Sequence, residues 1–382
     1  MDRQIVEFIQ DLFSTNGDIN LHQPCIGRLE KDYLNQAIDS TFISSVGAFV
    51  DGFATSLENF CGVEKSVPLV NGTSALHAAL FLKGVQADDI VITQSFTFVA
   101  TCNAISYLGA EPTFVDISTR TLGLCPISLA NYLQENAVLD DHGNCINKTS
   151  RKRISACVAV HTFGHAPQLQ EIRSICRDWH IALIEDASQA LGSTYMGEGV
   201  GANSDCATLS FNGNKIISTG GGGALLTKDK EFGERSRHIT STSRIKGKEI
   251  DHDGIGFNYR MPNINAALGC AQMSRLPSLL RAKRELAIKY QDFFRGSEYQ
   301  CVQEPESCQS NYWLNTVVCQ DRNQRDHLLS VLQKNKIQAR PAWKLMDDLP
   351  MYKTCSSSEM HNARYFYQRI VCLPSSPQLL EK

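Results

Sequence analysis

The sequence predicts an α/β protein: a large domain on a mostly parallel sheet, followed by a smaller α+β C-terminal domain. Three observations carry this. From about residue 60 to 230 short β-branched runs alternate with helical patterns, as a parallel sheet with crossover helices requires. After Met261-Pro262 the alternation stops and one long helical stretch begins. With 382 residues, the chain exceeds a typical single domain. The expected division is 1–261 for the large domain, including an N-terminal helical extension, and 262–382 for the small one.

Taken in order, MDRQIVEFIQDLF places Ile5, Ile9 and Phe13 at helical spacing with acids between them. It therefore reads as an amphipathic helix and not as a signal peptide. SVPLV (66–70) is a strand leading into a helix near Ser74, and IVIT (90–93) leads into a second helix. PTFVDI (112–117) is a third strand, and SACVAVH (155–161) precedes the helical QLQEIRSICRDWH and the strand IALIED (181–186). The stretch NINAALGCAQMSRLPSLLRAKRELAIKYQDFF is helical and punctuated by Pro277. YWLNTVVC (312–319) and DHLLSVLQKN supply a strand and a helix to the small domain, with Tyr312 and Trp313 in its core. The absence of a low-complexity linker predicts two tightly packed units.

Composition narrows the classes of function. A net charge of -3 with scattered basic residues gives no electrostatic reason to expect nucleic acid, and Arg151-Lys152-Arg153 reads as a solvated loop. No apolar run approaches the roughly 20 residues that span a bilayer, so neither membrane insertion nor export is expected and a cytoplasmic location is. The fourteen cysteines form no Cys-x-x-Cys pair and lie singly in apolar stretches. They read as reduced, mostly buried thiols, with no metal site.

Four segments place polar groups at strand ends, where ligands of α/β sheets sit. Asn71-Gly72-Thr73-Ser74 offers free N–H groups and a helix dipole to an anion, and is equally readable as a plain N-cap. Asp186, in Glu185-Asp186-Ala187-Ser188-Gln189, needs a cation such as a protonated pyridine nitrogen, or else serves as a cap or ion-pair partner. Lys215 follows Ser210-Phe211-Asn212-Gly213-Asn214 and precedes Thr219 and the glycines 220–223. Held in a closed pocket, it would be the low-pKa amine of Schiff-base chemistry; read alone it is a surface lysine before a loop. Phe98, in Gln94-Ser95-Phe96-Thr97-Phe98, suits stacking on a flat ring or core packing. Neither the Walker nor the dinucleotide glycine fingerprint is present.

Together, NGTSALHAAL, QSFTFVATCNAI, LIEDASQALGS, LSFNGNKIISTGGGGALLT and GFNYRMPNINAALG resemble the DegT/DnrJ/EryC1/StrS family of nucleotide-sugar aminotransferases, from about residue 20 onward. The resemblance implies fold type I and pyridoxal 5'-phosphate (PLP). It implies Lys215 as the Schiff-base lysine and proton carrier, Asp186 on the pyridine nitrogen, and Gln189 on the phenolic oxygen. It further implies Phe98 as the stacking ring, and Gly72, Thr73, Ser74 and Ser210 as the phosphate cup. Asn258 resembles the residue that reaches the phosphate of a neighbouring subunit, which implies a homodimer with shared active sites. Lysine at 215, where some relatives carry histidine and act as dehydratases, favours transamination.

Asn212-Gly213-Asn214, the LHQP segment (21–24) and STFISSVGAFVDGF (40–53) look like the 4-aminotransferases of legionaminic acid and bacillosamine pathways. Those enzymes imply a UDP-linked 4-keto-6-deoxy-N-acetylglucosamine as acceptor and L-glutamate as donor. A GDP-perosamine-type or 3-amino-sugar enzyme is the neighbouring reading, and a non-catalytic regulator of the same fold the more distant one. His161, in His161-Thr162-Phe163-Gly164-His165, is a candidate substrate contact or a structural histidine. Arg340, Trp343 and Lys344 in ARPAWK are candidates for a nucleotide diphosphate, or a surface segment.

Overall fold

The structure, a computed structural model, describes residues 1–377 except 246 and 248. Three helices, α1 (Asp2–Phe13), α2 (Arg28–Asp39) and α3 (Ala48–Cys61), precede the main sheet. There follow β1 (Lys65–Leu69), α4 (Gly72–Leu82), β2 (Ile90–Gln94), α5 (Ala100–Ser106), β3 (Glu111–Val115) and α6 (Pro126–Asn136). Next come β4 (Ile154–Val160), α7 (Leu169–Asp178), β5 (Ala182–Asp186), β6 (Cys206–Ser210), β7 (Gly223–Thr227) and α8 (Lys230–Ile239).

These strands form one seven-stranded sheet in the order β1-β7-β6-β5-β4-β2-β3. Only β7 runs against the rest, pairing antiparallel with both β1 and β6. The two strands that contain proline, Pro68 in β1 and Pro112 in β3, are the two edges. A residue without an N–H is tolerated there and disrupts a central strand.

Side chains alternate between faces, so each strand feeds two cores. Ile90, Ile92, Cys157 and Leu183 pack with Leu129, Leu133 and Ile172 of α6 and α7. Val91, Ala156, Val158 and Ile184 pack with Leu76, Leu80, Ile105 and Phe232 on the other face. All fourteen cysteines are free and none is exposed.

α9 (Asn263–Phe294) runs for 32 residues straight through Pro277. Its first half packs into the large core through Ala266, Met273 and Leu276, beside Phe53 and Leu57 of α3. Its second half packs through Leu286, Tyr290 and Phe294 against the small unit. That unit contains β8 (Gln300–Cys301), β9 (Asn315–Val318), α10 (Arg322–Lys334), β10 (Arg340–Pro341), α11 (His361–Tyr367) and β11 (Ile370–Leu373). Its antiparallel sheet has the order β8-β9-β11-β10.

Two features differ from the sequence reading. α1, grouped with residues 1–261, packs Ile5, Val6 and Ile9 against Val317, Leu328 and Val371 of the small unit. Its apolar stripe is covered there and not on the large sheet. The strand expected from Tyr312 begins only at Asn315. Tyr312 has φ 45, a left-handed conformation that breaks an extended run, and it turns the chain at the junction of the two units. At that junction Phe96, Phe114 and Phe163 share one core with Trp313, Leu314 and Cys372.

Candidate active site

A cavity opens at the carboxyl ends of the parallel strands. Its wall includes Gly72, Thr73, Phe98, Asp186, Gln189, Ser210, Lys215, Arg340 and Trp343, and also Asn71, Asn212, Asn214 and Trp313. Nine of the thirteen candidates named from the sequence therefore converge, although they span residues 72 to 343.

Each is placed by the strand before it. β1 delivers Asn71, whose side chain accepts the Ser74 N–H at 2.7 Å. The N-cap reading and the anion-site reading thus divide the segment. Ser74 spends its N–H on the cap and does not line the cavity, while the N–H groups of Gly72 and Thr73 are first-turn donors with no acceptor inside the helix. A methyl on Gly72 would lie 2.9 Å from Ser210 Cβ and 3.2 Å from Leu209 O. The close approach of α4 to β6 therefore needs glycine. Gly72→Ala is expected to weaken PLP binding about tenfold, roughly 1.4 kcal/mol, within the usual range of overpacking costs; titration of the cofactor-free protein checks this.

β5 ends at Asp186, a buried carboxylate. Thr101 Oγ1 donates to Asp186 Oδ2 at 2.8 Å and Ser188 N to Oδ1 at 3.2 Å. These bonds fix the orientation of the carboxylate. Gln189 is oriented by the Phe163 N–H, which donates to Oε1 at 2.8 Å. Its amide nitrogen is left without a partner among the described residues.

β6 leads through Ser210 into the loop that carries Lys215. The loop is closed by Phe211 N to Gly222 O at 2.8 Å and Thr219 N to Phe211 O at 2.9 Å. Asn265, in the first turn of α9, donates to Thr219 O at 2.7 Å and to Gly221 O at 3.2 Å. Burial pulls the Lys215 amine down to about 8, against the attraction of Asp186 and with some help from Arg340. An amine that titrates there is a nucleophile near neutral pH, as an ordinary lysine is not.

Of the aromatic wall, the sequence offers Phe98 and Trp343 and conceals Trp313. Trp343 stacks on Phe163, with centroids 5.1 Å apart, and lies 6.4 Å from both Phe98 and Trp313. Lys215 Nζ sits 4.1 Å from the centre of the Trp313 ring, and the Arg340 guanidinium 5.1 Å from Trp343. Arg340 Nε is buried without a partner among the described residues. Trp313, read as core, is both core and cavity wall: it is 3% exposed. No local spacing announces that, because only the Tyr312 turn aims it at the loop of residues 212–215.

Besides Ser74, three candidates lie outside the cavity wall. His161 is buried outside the cavity wall, with Nε2 2.9 Å from Glu185 Oε2. Thr162–Gly164 is a short 3-10 turn. Lys344 is exposed and absent from the cavity wall. Asn258 pairs with Ser241 in an isolated bridge and also lies outside the wall.

The fold thus brings a buried amine, a strand-end carboxylate, first-turn N–H donors and flat rings into one cavity of an α/β scaffold. The chain belongs to the DegT/DnrJ/EryC1/StrS aminotransferase family, whose sequence model matches residues 24–382. It is 32% identical over 366 residues to the GDP-perosamine synthase of Vibrio cholerae, covering 95% of each chain. It is 31% identical over 283 residues to the UDP-4-amino-4,6-dideoxy-N-acetyl-beta-L-altrosamine transaminase of Campylobacter jejuni, covering 72% of this chain and 69% of that one. The crystal structure of the aminotransferase TlmJ from Streptoalloteichus hindustanus superposes with a TM-score of 0.83 at 26% identity, covering 93% of each chain. The protein is accordingly a PLP-dependent sugar aminotransferase acting on nucleotide sugars. Among the described residues no helix is long and apolar enough to cross a membrane.

The residues present fit the cofactor. A methyl on Gly222, in the cavity wall, would lie 2.2 Å from Thr219 Oγ1, so backbone alone fits there. The donors are neutral N–H groups and hydroxyls, suited to a phosphate.

Proposed function

We propose that the enzyme moves an amino group from L-glutamate to C4 of a UDP-linked 4-keto-6-deoxy-N-acetylglucosamine, giving the UDP-4-amino-4,6-dideoxy-N-acetyl sugar. The observation that carries the aminotransferase chemistry is Lys215, a buried amine of lowered pKa that shares the cavity with Asp186. When bound, PLP supplies an aldehyde that takes up an amino group and a ring that withdraws electrons from the reacting carbon.

The chain does the rest. Gly72, Thr73 and Ser210 hold the phosphate, and Asp186 keeps the pyridine nitrogen protonated. Gln189 offers its amide nitrogen to the phenolic oxygen, and Phe98 covers the ring. Lys215 Nζ takes the proton from the α-carbon of the donor and later returns one to C4 of the sugar. Arg340, whose Nε has no partner among the described residues, meets the anionic part of the substrates, beside the apolar face of Trp343.

The same reading makes the active form a homodimer, with Asn258 reaching the phosphate in the second subunit. Large apolar residues are exposed on the segment before α3, including Phe42 at 58% and Ile43 at 53%, and on the loop before Asn258, where Ile255 is 86% exposed. A second copy would bury surfaces of this kind.

A second reading, a GDP-linked keto sugar, is favoured by the GDP-perosamine synthase, which matches over more of the chain than the UDP-sugar transaminase does. Incubation of the PLP-loaded enzyme with glutamate and UDP-, GDP- or dTDP-linked 4-keto-6-deoxy sugars separates the two by product mass. Amination of the UDP-N-acetyl sugar at least tenfold faster than of the others is the expected result; preference for the GDP-sugar overturns it.

A further inference from the structure

Lys283, on α9, is a second buried lysine for which the chemistry above has no use. Its side chain is 0% exposed, and burial holds its amine well below the usual lysine value. No carboxylate pairs with it among the described residues. Instead Nζ donates to the main-chain carbonyls of Trp313, at 2.8 Å, and of Ser375. Burying an amine in an apolar core is costly, so a hydrophobic residue would serve packing better. The Trp313 carbonyl, however, lies just after the Tyr312 turn and before β9, where a buried acceptor must find a donor.

Trp313 in turn holds Lys215 from two sides. Its indole Nε1 donates to Asn214 O at 2.6 Å, fixing the residue before the lysine. Its ring face lies 4.1 Å from Lys215 Nζ. We propose that Lys283 and Trp313 are positioning residues that form one clamp, running from α9 through the Trp313 main chain to the reactive amine. The inference rests on Lys215 being the reactive lysine, not on any particular sugar.

The charged and titratable groups facing Lys215 are Asp186 on β5, Arg340 on β10 and His22 in the LHQP segment. Lys283 faces His22 and reaches Lys215 through Trp313. A cation over an indole favours the charged amine; a leucine in its place keeps the pocket apolar but has no ring face, so the exchange lowers the pH at which Lys215 titrates.

The test is the pH dependence of Lys215 acylation in the cofactor-free full chain, read by peptide mass. It reports on the clamp whether or not any sugar is turned over. From a midpoint of about 8, Trp313→Leu is expected to lower it by about one unit. Lys283→Met should lower it less, and add nothing in the Trp313→Leu background. Tyr290→Phe removes a neighbouring buried bond, 3.0 Å to Pro374 O; it should lower the melting temperature and leave the midpoint in place. If Lys283→Met does not fold, Lys283→Gln replaces it under the same criteria. An unmoved midpoint in the folded Lys283 variant overturns the proposal. So does an undiminished Lys283 effect in the Trp313→Leu background, or an equal shift from Tyr290→Phe.

Discussion

Lys215→Ala, loaded with PLP, is expected to show no turnover with any keto nucleotide sugar and none of the visible absorbance that PLP gains on a lysine. Loss of the positioned base alone removes about 10²–10⁴-fold, and loss of the amine also removes the covalent route. The fold should survive, because the side chain makes no hydrogen bond or ion pair with the described residues and its contact is the face of Trp313. An unchanged melting temperature of the cofactor-free variant, with zero product by mass, is the combined outcome. An active Lys215→Ala enzyme would remove the assignment of this lysine.

Asp186→Ala has the second largest expected effect, and a different pattern. The cofactor still attaches to Lys215, so visible absorbance is retained, but the pyridine nitrogen loses its anion. Removing one such electrostatic partner costs on the order of 10²–10³ in kcat. The substitution also leaves the Thr101 hydroxyl and the Ser188 N–H without their acceptor, which costs about 1–3 kcal/mol of stability when such donors are buried. Chemical denaturation of the cofactor-free variant separates that loss from the loss of turnover. A variant with wild-type kcat would mean that Asp186 has only a structural task.

Much of the large domain is legible in the chain because its signals are local. Strand-and-helix alternation, prolines confined to what prove to be edge strands, and polar residues that end each apolar run all report the same sheet. Lys215, Asp186 and Gly72 belong to this legible part, since each follows directly from the strand before it. Ser74 was half legible: its helix start is evident, but not that Asn71 consumes its N–H.

The cavity wall made by the small unit is not legible in the same way. Arg340 and Trp343 are readable as substrate candidates, but Trp313 reads as core and reaches the cavity only through the Tyr312 turn, more than ninety residues from Lys215. His161 shows the converse. A histidine at a strand end invites a site role, yet a buried Glu185, invisible as a neighbour in the sequence, claims it. The placement of α1 on the small unit depends on which apolar face needs cover, and periodicity alone does not choose.

The most direct measurement is borohydride reduction of the PLP-loaded enzyme, followed by proteolysis and peptide mass, with and without prior glutamate. The account predicts a pyridoxyl group on Lys215 alone, and its disappearance when glutamate has first converted the cofactor to its amine form. A label on another lysine, or a Lys215 label that glutamate leaves untouched, would contradict it.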